Sequence, residues 1–108
     1  MDSDDETLVP DGPWFQWHYD RWALPPGATE LARNPAASQA FVLRRNLALQ
    51  FHPELTAASL DGWLENGGAE EAAGQGIDVS SLIARTSALA PDAARRAAAL
   101  VDGFLRQI

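Results

Sequence analysis

Chain breakers divide these 108 residues into two unlike halves. Asp11-Gly12-Pro13, Leu24-Pro25-Pro26-Gly27 and Asn34-Pro35 interrupt the first half so often that no long helix fits there. Proline has no N–H to donate and clashes inside a helix, and glycine opens turn conformations closed to other residues. From Thr56 onward apolar residues recur three and four apart, which is the helical period. The pattern predicts an α/β chain of about four short strands followed by three helices.

The first predicted strand is the aromatic run 14–18, and the second and third are residues 28–33 and 39–44. In the third, Phe41 and Leu43 alternate with Val42 and Arg44. Arg45-Asn46 reads as a tight turn into residues 47–51, mostly apolar, the kind of strand buried on both faces of an α/β sheet. Thr56 is a candidate N-cap for a helix through about Glu65, with Leu60, Trp63 and Leu64 on one stripe and Asn66-Gly67-Gly68 as the stop. A second helical pattern spans 79–89. The third spans 91–108, with Pro91 at its first position and Ala94, Ala97, Ala98, Val101, Phe104 and Leu105 at helical spacing. Residues 1–13 read as a flexible acidic lead-in, 14–66 as the main unit, 67–76 as a Gly- and Ala-rich linker and 77–108 as C-terminal helices.

Hydrophobic residues make up 46% of the chain, enough for one modest core. Eight Lys and Arg against 15 Asp and Glu leave a net charge of -7, which argues against nucleic acid or an anionic membrane as partner. The acidic start lacks the basic flank of a secretory signal, no apolar run is long enough to cross a bilayer, and a cytoplasmic location is expected. With no cysteine, the chain holds no disulfide, thiolate ligand or thiol nucleophile. The residues call for no cofactor. Trp14, Trp17, Trp22 and Trp63 read as core or interface material, and the Arg95-Arg96 and Glu70-Glu71 pairs as solvated faces.

Chemistry concentrates at His52-Pro53-Glu54, at the C-terminal end of the fourth predicted strand, where open α/β folds bind ligands. A lone strand-end histidine is more often a locally bonded structural residue. His18-x-Asp20 and His52-x-Glu54 together also offer a set of imidazoles and carboxylates suited to Zn or Fe, although no third His or Cys completes it.

The stretch Gln50-Phe51-His52-Pro53-Glu54 resembles the motif that closes the active site of class I glutamine amidotransferases. Trp17-His18-Tyr19-Asp20, Leu24-Pro25-Pro26-Gly27-Ala28, Leu31-Ala32 and Gln39-Ala40-Phe41 resemble, in order and spacing, the run leading to it in GMP-synthase-like members. The likeness covers roughly residues 14–65. It implies an incomplete flavodoxin-like amidotransferase unit and a Cys-His-Glu amidase that frees ammonia from glutamine for a synthase. His52 would be the catalytic acid and base, Glu54 would orient it, and Tyr19 and Asp20 would border the bound glutamine.

In that family the nucleophile stands on a Gly-rich strand-to-helix elbow farther upstream than the 51 residues preceding His52. The resemblance therefore implies a His-Glu arm that is inactive alone and works with a Cys-bearing half domain or a synthase subunit. The alternatives are a non-catalytic binding or assembly remnant, and the metal site. A sheet lacking its other half would expose an edge, so self-association or docking of a second protein is expected, through that edge or through the flank of Trp14, Phe15 and Trp17, with a two-fold homodimer the simplest closed solution.

Overall fold

A computed structural model describes residues 1–18 and 20–107. It is a mixed α/β arrangement with one four-stranded sheet, β1 (Asp2–Ser3), β2 (Thr29–Arg33), β3 (Ser38–Leu43) and β4 (Asn46–Leu49), in sequential order. Every neighbouring pair is antiparallel. Three α-helices follow, α1 (Ala57–Trp63), α2 (Ala69–Gly74) and α3 (Val79–Gln107).

The hairpin β2–β3 is irregular in a way that explains its burial. Glu30 faces Phe41 but Ala32 faces Ala40, so Leu31 is an extra residue on β2; Ala32 then faces Ala40 while Arg33 faces Ser38, so Gln39 is an extra residue on β3. Each bulge interrupts the in–out alternation of a strand. Consecutive residues are consequently buried on both strands: Leu31 with Ala32, and Gln39 with Ala40. The turn from β3 into β4 is two residues long, with Leu43 paired to Asn46 and Arg44 at φ 58°. Such turns favour Gly at that first position.

Helix α1 begins where Thr56 forms a capping box with Ser59, each side chain accepting from the other residue's backbone N–H. A wide turn over Leu64–Gly68 follows, with Gly67 at φ 98°. Asp78 caps α3, its carboxylate accepting from Ser81 N. The core joins the sheet to α3: Leu31, Ala32, Ala40 and Phe51 meet Leu100, with Leu8, Val9 and Trp14 between them. Among the described residues no helix is long and apolar enough to cross a membrane.

Several expectations are corrected. The predicted lead-in 1–13 supplies β1, and Leu8 and Val9 are buried. Ser3 Oγ donates to Val9 O, and Leu8 N and Val9 N both donate to Asp5 O, folding the segment onto the core. Residues 14–18 form no strand. They make one bridge, Phe15 with His52, because their other bonding groups turn to partners outside a ladder, the Trp14 indole donating to Pro10 O and the Trp17 carbonyl accepting from the His52 ring.

Residues 47–51 are not buried on both faces. β4 is an edge strand, exposed at Asn46 and half-buried at Leu47, Ala48 and Leu49, and within 47–51 Phe51 is the residue fully inside. The linker 67–76 contains α2, whose Ala72 is buried. The two C-terminal helical patterns are one 29-residue helix running through Pro91. Arg96 is not a solvated residue: its guanidinium donates to Pro13 O at 2.6 Å and lies 5.4 Å from the Trp14 ring centre. Arg95 remains exposed and pairs with Asp92.

Candidate functional site

His52 follows β4 in a segment tied down by its own backbone, where His52 N donates to Phe15 O at 2.9 Å. Phe51 before it is stacked on Trp14 with ring centres 4.6 Å apart, so the residue preceding the histidine is anchored in the core. Pro53 after it restricts the chain and holds Glu54 on the same side. As a result His52 Nδ1 lies 2.8 Å from Glu54 Oε1, a normal hydrogen bond.

The other ring nitrogen is also occupied: Nε2 donates to Trp17 O at 3.0 Å. A carbonyl and a carboxylate are both acceptors, so both ring nitrogens are satisfied only when each carries a proton. Partial burial of the ring pulls its pKa down, but the bonds to Trp17 O and Glu54 and the carboxylate's charge outweigh that, and the pKa is raised above the ordinary 6.5. The arrangement thus favours the doubly protonated ring, in which both N–H donors are engaged.

Trp17 is in turn held by its indole, edge-on to Trp63 of α1 with ring centres 4.3 Å apart. The aromatic flank expected to await a partner thus has internal contacts at Trp14 and Trp17. The site's second polar network lies beside it. His18 Nδ1 donates to Asp20 O at 2.9 Å, Gln50 Nε2 donates to the same carbonyl at 3.2 Å, and Gln16 Nε2 donates to the buried Gln39 Oε1 at 2.7 Å. Asp20 enters this network through its backbone. Tyr19 lies outside the described residues. Among the described residues no three His, Cys, Asp or Glu side chains gather in a group that could hold a metal.

A cleft of about 650 Å³ opens alongside His52, between residues 12–16, residues 52–57 and the N-terminal half of α3. Sequence reading did not find it, because Arg85 and Thr86 on its helical wall are isolated polar residues on an amphipathic helix, with no local signal. The Trp17 carbonyl was equally invisible, since a backbone atom's partner is not written in residue identity.

Neither a protein-family model nor a curated protein matches the chain.

Proposed function

We propose that this chain is the His-Glu arm of a class I glutamine amidotransferase-like unit, inactive by itself and completed by a second segment that brings the cysteine elbow. The observation that carries the reading is the 2.8 Å bond between His52 Nδ1 and Glu54 Oε1. It is the orienting contact a Cys-His-Glu amidase needs, since it fixes the ring and leaves Nε2 as the nitrogen that exchanges protons with nucleophile and leaving group. On this reading the sheet and helices are the back part of a flavodoxin-like unit working in the cytoplasm. The substrate is glutamine, bordered by Asp20 and Tyr19, and a synthase or a second copy of the chain is the partner.

With no cysteine in these 108 residues, the thiol comes from elsewhere. Nε2 would have to give up its bond to Trp17 O and release that proton to solvent, so that the neutral ring accepts from the thiol, with residues 14–18 moving aside as the partner docks. Glu54 would then hold the imidazolium that forms when the thiol proton is taken, and Nε2–H would return a proton to the departing ammonia.

The second reading, a binding or assembly module without catalysis, is favoured by the same bond to Trp17, which gives Nε2 a permanent structural partner. Glutaminase assays separate the two. The chain alone gives no turnover; with a Cys-elbow segment added in trans, turnover appears and falls about 10²–10⁴-fold in His52→Ala, the usual contribution of a positioned acid–base group. Turnover indifferent to His52→Ala, or none on complementation, would reject the catalytic reading.

A further inference from the structure

The cleft beside His52 has a composition at odds with the rest of the chain. The sequence carries 15 acidic residues, yet among the described residues lining this cleft there is no Asp or Glu. Its charged wall residue is Arg85 of α3, with the hydroxyl of Thr86 beside it. His52 also borders the cleft, but its two ring N–H groups are spent on Trp17 and Glu54, and Glu54 balances its charge. The remainder is largely apolar, with Leu55 on one side and Leu82 and Leu89 on the helix, three before and four after Arg85. That spacing places the two leucines on the same helical face as the guanidinium.

We infer that this cleft binds a small amphipathic monocarboxylate, its carboxylate on Arg85 and its aliphatic or aryl body against Leu82, Leu89 and Leu55. The volume falls in the range of about 300–1,000 Å³ typical of sites for drug-sized molecules, which are mostly apolar with a few placed polar groups. A guanidinium presents a planar fork that matches a carboxylate, and among the described residues lining the cleft Arg85 carries the single guanidinium, which suits one negative charge. The ligand's other end is uncharged, because an ammonium there would meet no carboxylate. That requirement sets the ligand apart from glutamine, a zwitterion, and the inference is independent of the amidotransferase reading.

The test uses the full chain with octanoate and 4-phenylbutyrate as probes, followed by amide chemical shifts and calorimetry. Octanol, octylamine and L-glutamine serve as comparisons. Both carboxylates saturate the chain, with the largest shifts at Leu82, Arg85, Thr86 and Leu89, while octylamine and L-glutamine leave those amides unmoved and octanol binds at least tenfold more weakly. Arg85 is exposed on its helix, so Arg85→Gln keeps the fold, checked by circular dichroism, and loses at least tenfold in affinity. Arg85→Lys, which keeps the charge, stays within tenfold of the original. Octanol binding as well as octanoate, an unchanged affinity in Arg85→Gln, or shifts mapping away from the cleft would each overturn the assignment. None of these outcomes bears on whether a Cys-bearing segment restores glutaminase activity.

Discussion

His52 Nε2 and the carbonyl oxygen of Trp17 are 3.0 Å apart, so the ring nitrogen that a general base turns toward its nucleophile is here bonded to main chain. With Glu54 on the opposite nitrogen, the imidazole is clamped between two acceptors and ties residues 14–18 to the segment after β4.

This clamp makes stability depend on pH in a stated direction. Because the folded pKa of His52 is raised above 6.5, its stabilising contribution is complete below that unfolded value and is lost as pH rises through the folded pKa. Urea midpoints should fall between about pH 6 and the folded pKa of His52, and Glu54→Gln should flatten that slope while lowering the NMR-titrated pKa of the ring. A His52 that titrates below 6.5 would contradict the clamp.

On the acid side the control lies at Arg33. Hydrogen bonds from its guanidinium, chiefly, hold Asp4 and Glu30 below their ordinary pKa values, with Ser38 adding a bond to Glu30. For lowered pKa values the contribution is present above the unfolded values of 3.8 and 4.5 and is lost as pH falls through the folded ones. All three groups are near the surface, so the effect is small and screened by salt. Arg33→Gln should reduce the loss of stability below about pH 4.5, measured at low ionic strength. An identical acid limb in the variant would remove Arg33 from this role.

Gly103 reports on the packing of the N-terminal segment against α3. A Cβ at this position would lie 2.5 Å from Thr7 O and 3.2 Å from Leu8 Cα, and both are backbone atoms that cannot rotate away. Gly103→Ala should therefore destabilise the chain by about 1–3 kcal/mol, the cost of overpacking, even though alanine is the better helix former. Unchanged chemical unfolding would mean that residues 1–13 do not pack where described.

Arg44 occupies a left-handed conformation that costs a side-chain-bearing residue about 1–2 kcal/mol. Arg44→Gly should stabilise by about 0.5–1 kcal/mol after the extra unfolded-state freedom of glycine is counted, read from a higher melting temperature. A lower melting temperature would show that the turn conformation is other than the one described.

Pro91 lies inside α3 and cannot donate to Ser87 O. Pro91→Ala should raise stability by about 1–3 kcal/mol and increase helical circular dichroism slightly. A loss of stability would instead show that the chain uses a break at this point.

The elements visible in the sequence are those whose cause is local. The Thr56 N-cap, the glycine stop at Gly67 and the helical period of Ala97, Val101 and Phe104 each depend on residues within a few positions of one another, as does the tight turn before β4, which falls at Arg44-Arg45, one residue earlier than the expected Arg45-Asn46. The His52–Glu54 bond belongs with them, because two residues of separation across a proline leave few ways to arrange the pair. The misread elements have distant causes. Residues 1–13 look like an acidic tail until β2 gives Asp2 and Ser3 a partner and Gly103 leaves room for Leu8. Residues 14–18 have strand-like composition, but His52 takes up the carbonyls of Phe15 and Trp17 through its backbone and its ring.

By itself, then, the sequence determined where several chain breaks fall, that a helix starts after Thr56 and that an imidazole and a carboxylate stand side by side, because steric restriction and capping act between neighbours. Only the tertiary structure decided which residues are buried, that Trp17 closes the ring's second nitrogen, and that Arg85 borders a cleft with no Asp or Glu among the described residues lining it. Those outcomes come from segments far apart in the chain burying apolar surface together, and such contacts leave no trace in local residue pattern.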